Sequence, residues 1–245
     1  MGDALYTGKT VIITGSTQGL GEAIARKLTA EQASGITISG RNSERGKALA
    51  EELTKQGTPT IFVQAELENP DECINLVRQS YNHFGRLDGL VNSAAITTRG
   101  TLEDTTVELW DQHMSINVRA PFLTMQEAVK VMQIQGWGGS IVNIITKSAH
   151  GGQPFLTAYS TSKGALATLT KNAAYSQRWH KIRINGIMVG WMDTPAEDMI
   201  QRKFHGAQDN WLEVAELVAL MLSDRGGVMC GSLIDYDQEI VGTSG

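Results

Sequence analysis

Cysteine is nearly absent from this chain of 245 residues: Cys73 and Cys230 are the only two, and neither sits in a Cys-x-x-Cys pair or a cysteine-histidine cluster of metal-ligand spacing. Both read as reduced, buried thiols. The histidines are equally sparse, and His83, His113, His180 and His205 form no metal constellation; they read as surface or helix-packing residues. No excess of positive charge is present. A net charge of −5 argues against a broad phosphate-neutralising surface and therefore against nucleic acid as a partner. No stretch approaches the ~18 consecutive apolar residues of a membrane span, and Met1-Gly2-Asp3-Ala4-Leu5 has no basic segment leading into an apolar run. Gly2 lacks the full myristoylation pattern because Tyr6 stands at its Ser/Thr position. A cytoplasmic protein with no membrane partner is the expectation. Low-complexity segments, linker composition and internal repeats are missing too, so residues 1–245 are expected to form a single domain.

What the chain does contain is a regular alternation of short apolar runs with helical patterns, as βαβ units feeding a parallel sheet covered on both faces produce. Val11-Ile12-Ile13 reads as the first strand, and Leu20, Ala23, Ile24 and Leu28 as the buried stripe of the helix behind it. Further strands are expected at 36–39, 60–63, 90–92, 140–145, 182–188 and 233–236. Between them, Ser43 can cap a helix carrying Ala48, Leu49 and Leu53, and Asn69-Pro70-Asp71-Glu72 opens a helix that runs to about His83. Thr105-Thr106-Val107-Glu108 has capping-box spacing ahead of one long helix reaching Met132. Its Met114, Met125 and Met132 read as core or subunit contact. Helices are also expected over 155–179 and 213–222. Right-handed crossovers give a doubly wound sheet, with ligands at the carboxyl ends of its strands.

Two motifs carry chemistry. In Thr14-Gly15-Ser16-Thr17-Gln18-Gly19-Leu20-Gly21, Gly15 would allow the tight turn, Gly19 the approach of a phosphate and Gly21 the close packing of helix on strand. The amino end of that helix can then hold a pyrophosphate. Downstream, Tyr159 and Lys163 stand four positions apart in Tyr-Ser-Thr-Ser-Lys, which puts both on one face of a helix. An ammonium beside a phenol lowers the phenol's pKa from its ordinary ~10 toward the operating pH. At the end of the second strand, where an acid would read a ribose 2′-hydroxyl, Gly40 is followed by Arg41, which suits a 2′-phosphate. NADP(H) is therefore expected in preference to NAD(H).

These motifs resemble those of the short-chain dehydrogenase/reductase family, single-domain type, across nearly the whole chain. Thr14-Gly15-x-x-x-Gly19-x-Gly21 is similar to the family's cofactor turn, Asn92-Ser93-Ala94-Ala95 to its Asn-Asn-Ala-Gly, and Tyr159-x-x-x-Lys163 to its active site. Asn117 falls at the family's catalytic asparagine, and Glu66 and Leu67 near its adenine site. Gly190, Met192 and Thr194 match the segment that embraces the nicotinamide. The resemblance implies a Rossmann-type fold of strand order 3-2-1-4-5-6-7, hydride transfer between nicotinamide and an alcohol or carbonyl carbon, and a homotetramer or homodimer. It also implies roles: Tyr159 as acid/base, Lys163 on the tyrosine and the nicotinamide ribose, and Asn117 positioning a water. The family's serine, 13 residues before the tyrosine, corresponds to Thr146, with Ser148 two residues on as the alternative donor.

Departures from the family pattern are Glu66 for aspartate, Ala95 and Gln32 for glycine, and Val189 for proline. They leave open a catalytically idle NADP-binding sensor; an isomerase or lyase using nicotinamide transiently is the other rival class. The family's substrate lid, here 190–213, is compressed, so either the lid is short or residues are missing and a chain break is expected near Trp211 to Val214. Lys147, Ser148, His150, Gln153, Phe155, Trp191 and Met192 are the pocket candidates. That mixed polar and aromatic lining suits a small polar hydroxy or oxo compound, sugar-like or acidic, rather than a steroid.

Overall fold

Runs such as Val11-Ile12-Ile13, apolar at every position, belong in strands covered on both faces. The computed structural model describes residues 5–190 and 211–236. In it β1 (Thr10–Thr14), β2 (Gly35–Gly40), β3 (Thr60–Gln64), β4 (Gly89–Asn92), β5 (Gly139–Thr146), β6 (Ile182–Val189) and β7 (Leu233–Tyr236) pair in the order β3-β2-β1-β4-β5-β6-β7. Every neighbouring pair is parallel. The helices are α1 (Gly19–Ala30), α2 (Ser43–Lys55), α3 (Pro70–Phe84), α4 (Val107–Met114), α5 (Ala120–Gln135), α6 (Thr157–Gln177) and α7 (Trp211–Leu222).

Alternation along the strands sorts the core into two layers. Val11, Ile13, Ile36, Ile38, Val142 and Ile144 pack against α1, α2 and α7, whereas Ile12, Leu90, Ile141 and Ile184 pack against α3, α5 and α6. The chain reverses its direction across the sheet between β1 and β4, so the crevice above their carboxyl ends is the topological switch point where such sheets bind ligands.

Several local details differ from the sequence expectation. Asn42 rather than Ser43 caps α2, its side-chain oxygen accepting from the Arg45 N–H at 2.9 Å. Thr106 rather than Thr105 caps α4, accepting from the Leu109 N–H at 3.2 Å. The single long helix expected to reach Met132 is interrupted by a π turn, Ser115–Arg119. Pro121 explains the break: it has no N–H for the Asn117 carbonyl four residues back, and its ring would collide with that carbonyl in a straight helix. Met125 and Met132 are buried in the core, while Met114 is only half-buried. Cys73 is buried and Cys230 is not fully so. Trp211–Leu222 is one uninterrupted helix, so the break expected near Trp211 to Val214 is not found in it. Most of the lid expected at 190–213 lies outside the described residues, as does His205.

Gln32 settles one departure. It holds φ +60°, the left-handed conformation a glycine adopts without strain, and it closes α1: its N–H reaches the Thr29 carbonyl at 3.0 Å, and that of Ala33 the Leu28 carbonyl at 3.0 Å. Ala95 and Val189 keep negative φ, so at those places an ordinary residue fits the backbone. Gln32→Gly is expected to raise stability by about 1 kcal/mol by removing the left-handed penalty. A urea midpoint that rises with unchanged slope would bear this out; an unchanged or lower midpoint would contradict it.

Candidate active site

The turn after β1 fits a pyrophosphate. Gly15, at φ +64°, lies so close to the loop after β4 that an added Cβ would stand 2.7 Å from the Ala94 Cα. At Gly21 a Cβ would stand 2.4 Å from the Gly15 carbonyl oxygen, so helix and strand meet there backbone to backbone. Gly19 differs: a Cβ at that position would meet nothing within 4 Å, because the position opens on the crevice. Gln18, the N-cap of α1, makes no side-chain cap bond, which leaves the first amides of the helix for an anion. Leu20 is buried beneath the turn. Ser16 is fully buried; its hydroxyl donates to the Ile13 carbonyl at 2.7 Å and accepts from the Ser39 N–H at 2.9 Å, so its side chain braces the turn against β2.

Two arginines, Arg41 and Arg45, lie beyond the end of β2. A Cβ on Gly40 would stand 2.9 Å from both Thr17 Cγ2 and Thr17 Oγ1, so an acidic residue at that strand end has no room unless Thr17 moves. Arg41 is exposed beside it. Arg45, also exposed, bonds through its guanidinium to Gln18 Oε1 and so stands over the glycine turn. After β3, the exposed Glu66 and half-buried Leu67 form the outer rim, with the Glu66 N–H held by the Glu72 carboxylate at 2.6 Å.

Thr14 ends β1 and opens the glycine turn. Its hydroxyl accepts from the Ser93 and Ala94 N–H groups, each at 3.1 Å, locking the loop after β4 across the crevice from the glycine turn. Asn92 is buried, and its amide serves the scaffold: it donates to Asn143 Oδ1 at 2.9 Å and accepts from the Thr124 hydroxyl at 2.8 Å. Asn143 in turn donates to Thr170 Oγ1 on α6 at 2.9 Å. A satisfied buried network of this kind specifies one registration of β4, β5, α5 and α6.

On α6, Tyr159 is half-buried and Lys163 is 2% exposed. The Lys163 ammonium donates to the Ile144 carbonyl at 2.7 Å, and burial pushes its pKa down to about 8. Asn117 is fully buried at the π turn. Its Oδ1 accepts from the Ile96 N–H, and its Nδ2 donates to the Ile96 carbonyl and to Ser162 Oγ, all at 3.0 Å. Its side chain thus ties the loop after β4 to the tyrosine helix, and Pro121 deprives its carbonyl of the usual helical donor. Thr146 and Ser148 are both buried at the end of β5. Thr146 Oγ1 accepts from the Ser148 N–H at 3.3 Å and lies 3.3 Å from Ser148 Oγ, so the two candidate hydroxyls are coupled.

The pocket candidates divide. Lys147 is buried, whereas His150 is exposed and pairs with Asp235 on β7 at 2.7 Å. Gln153 is half-buried with its Oε1 unpartnered, and Phe155 lies under the Arg99 guanidinium at 4.7 Å. Gly190 closes β6; Trp191, Met192 and Thr194 lie outside the described residues. Among the described residues no cluster of His, Cys, Asp or Glu could hold a metal ion, and no helix is long and apolar enough to cross a membrane.

The folded pKa of Lys163 lies below its unfolded value of 10.5, so between pH 8 and 10.5 the unfolded chain binds the extra proton. The destabilisation is complete below pH 8 and vanishes as pH rises through 10.5. Lys163→Met should therefore stabilise the cofactor-free protein, by on the order of 1–3 kcal/mol at neutral pH, with the advantage fading above pH 8. Denaturant midpoints of both proteins across pH test this; an advantage that grows with pH would overturn it.

Residues 9–204 match the family model for short chain dehydrogenases. Trans-4-hydroxycyclohexanecarboxylate dehydrogenase of Sinomonas cyclohexanicum is 30% identical, covering 94% of this chain and 91% of its own. The NADP-dependent (R)-specific alcohol dehydrogenase of Lentilactobacillus kefiri is 33% identical, covering 79% and 77%. A solved dehydrogenase/reductase from Sinorhizobium meliloti 1021 superposes with a TM-score of 0.87 at 30% identity, covering 96% of each chain. A family match over more than three quarters of the sequence, on a sheet of the same order, leaves one assignment: the chain belongs to the short-chain dehydrogenases/reductases, NAD(P)-dependent oxidoreductases that act on CH–OH groups.

Proposed function

We propose that the protein is an NADP(H)-dependent oxidoreductase that interconverts a small polar alcohol with its ketone or aldehyde. The observation that carries this reading is the buried Lys163 ammonium, held on the Ile144 carbonyl one helical turn from Tyr159. At neutral pH, below the lysine's pKa of about 8, a cation one helical turn from Tyr159 on the same helix would favour the phenol's anion. When bound, the nicotinamide supplies or accepts the hydride. In reduction Tyr159 gives its hydroxyl proton to the carbonyl oxygen as hydride reaches the carbon; in oxidation it takes the proton back. Thr146 accepts a backbone N–H, and with Ser148 as the donor in the bond the two hydroxyls share, the Thr146 O–H is left to donate to the substrate oxygen. Asn117, whose carbonyl lacks its helical donor, would hold the water that passes the proton on.

Support for NADP(H) comes from the phosphate end. Thr17 fills the space an acid would need at Gly40, while Arg41 and Arg45 flank the same corner. NADPH should bind at least about tenfold more tightly than NADH, in keeping with one charge-assisted contact, and Arg41→Asp should reverse the order. Fluorescence titration of both cofactors decides; equal or tighter NADH binding by the unaltered protein contradicts the assignment.

Three buried polar residues in a row at the strand end, Thr146, Lys147 and Ser148, favour a substrate with polar or acidic character, and one relative is named for a hydroxycyclohexanecarboxylate. NADPH consumption with 4-oxocyclohexanecarboxylate and small neutral ketones should therefore be detectable and should be abolished by Tyr159→Phe. Thr146→Ala should lower kcat by about two orders of magnitude, the usual cost of one aimed donor, while Ser148→Ala stays within about threefold. The reverse ranking would exchange the two hydroxyls, and undiminished turnover in Tyr159→Phe would refute the mechanism.

A further inference from the structure

His113 is fully buried on the inner face of α4, against the tyrosine helix. Its Nδ1 lies 2.8 Å from the Leu109 carbonyl oxygen. A carbonyl can only accept, so Nδ1 carries the hydrogen and the ring's rotation is fixed. The imidazole meets the Tyr159 ring edge to face, with centroids 6.4 Å apart and planes at 74°. Its Nε2 is buried without a partner. A leucine or phenylalanine would fill the same space and leave no orphaned acceptor, so bulk alone does not account for a histidine here. What the imidazole adds is a flat wall whose angle is set by its own hydrogen bond. The phenol it faces has to be held at one height above the nicotinamide, where a misplacement of about 1 Å can cost two orders of magnitude in rate.

We propose that His113 is a positioning residue for Tyr159, acting through the edge of its locked ring. The inference rests on Tyr159 being the acid/base, as argued above, and its test includes a reading that needs no substrate. His113→Asn keeps a donor for the Leu109 carbonyl but removes the ring; His113→Phe keeps the ring and removes both nitrogens. In protein carrying fluorotyrosine, the Tyr159 fluorine resonance is identified by its loss in Tyr159→Phe among the five tyrosines. It should move in both variants while the other tyrosine signals stay, in His113→Asn because the ring is lost and in His113→Phe because the ring is no longer held by its hydrogen bond to the Leu109 carbonyl. With 4-oxocyclohexanecarboxylate and NADPH, kcat should fall about tenfold in His113→Asn and by a similar factor in His113→Phe, with NADPH affinity unchanged in both. The proposal is overturned if the Tyr159 signal does not move in His113→Asn, if all the tyrosine signals move together, or if the phenylalanine variant keeps both the original signal and the original rate, which would leave bulk as the residue's whole role. Absence of turnover in the unaltered protein would count against the oxidoreductase reading alone, since the fluorine signals report on His113 without it.

Discussion

A charge removed from water and given one carbonyl to hold is what the rest of this structure serves. Lys163 has almost no solvent contact, and its ammonium donates to the Ile144 carbonyl. Burial works against that charge and draws its pKa down to about 8, so the protein keeps the cation at neutral pH only at a cost in stability. The return is functional. A positive charge in a desolvated place acts on a neighbouring phenol far more strongly than one at the surface, where water screens it.

Such a pair works only if strand, helix and loop are registered to within a fraction of an ångström, and the buried polar groups do that. Asn143, the residue before Ile144, bonds across to Asn92 on β4 and to Thr170 on the lysine's own helix. The carbonyl that receives the ammonium and the helix that delivers it are thus tied through adjacent residues. On the other side, Asn117 clamps the Ile96 backbone and Ser162, while Thr14 holds the Ser93 and Ala94 amides. Fully satisfied networks in a low-dielectric interior are stiff, and they lie where the cofactor and substrate loops leave the sheet.

The fold was legible because its signals are local and redundant. Every strand shows as an apolar run, the glycine turn marks the first crossover, and Asn69-Pro70 announces α3 without tertiary help. Cap positions slipped by one residue at Asn42 and Thr106, since two adjacent residues able to cap leave the choice to the incoming chain. The π turn was hidden because amphipathic periodicity continues across it; only Pro121 pointed to it, and a proline near a helix start looks like an ordinary N1 residue. In the site, the residues whose side chains form the scaffold were harder to separate from those facing ligand. Ser16 and Asn92 belong to motifs that line the crevice, yet their side chains turn into the protein, a matter of rotamer and neighbour that no spacing encodes. The contacts of His113, which reads as a surface or helix-packing residue, and of Arg45 are hidden for a related reason: each is made with a residue many positions away, Tyr159 in one case and Gln18 in the other. Gln32 shows the converse, a residue without glycine's freedom held in glycine's conformation by the helix end around it.

The most direct test of the central claim is the pH dependence of kcat/KM for ketone reduction with NADPH. If the buried ammonium makes Tyr159 the proton donor, the rate falls on the alkaline side with an apparent pKa well below the ~10 of free tyrosine, a value that belongs to the tyrosine-lysine pair as a unit. A profile that stays flat to the pKa of an ordinary phenol, or an alkaline limb that survives intact in Tyr159→Phe, would contradict it.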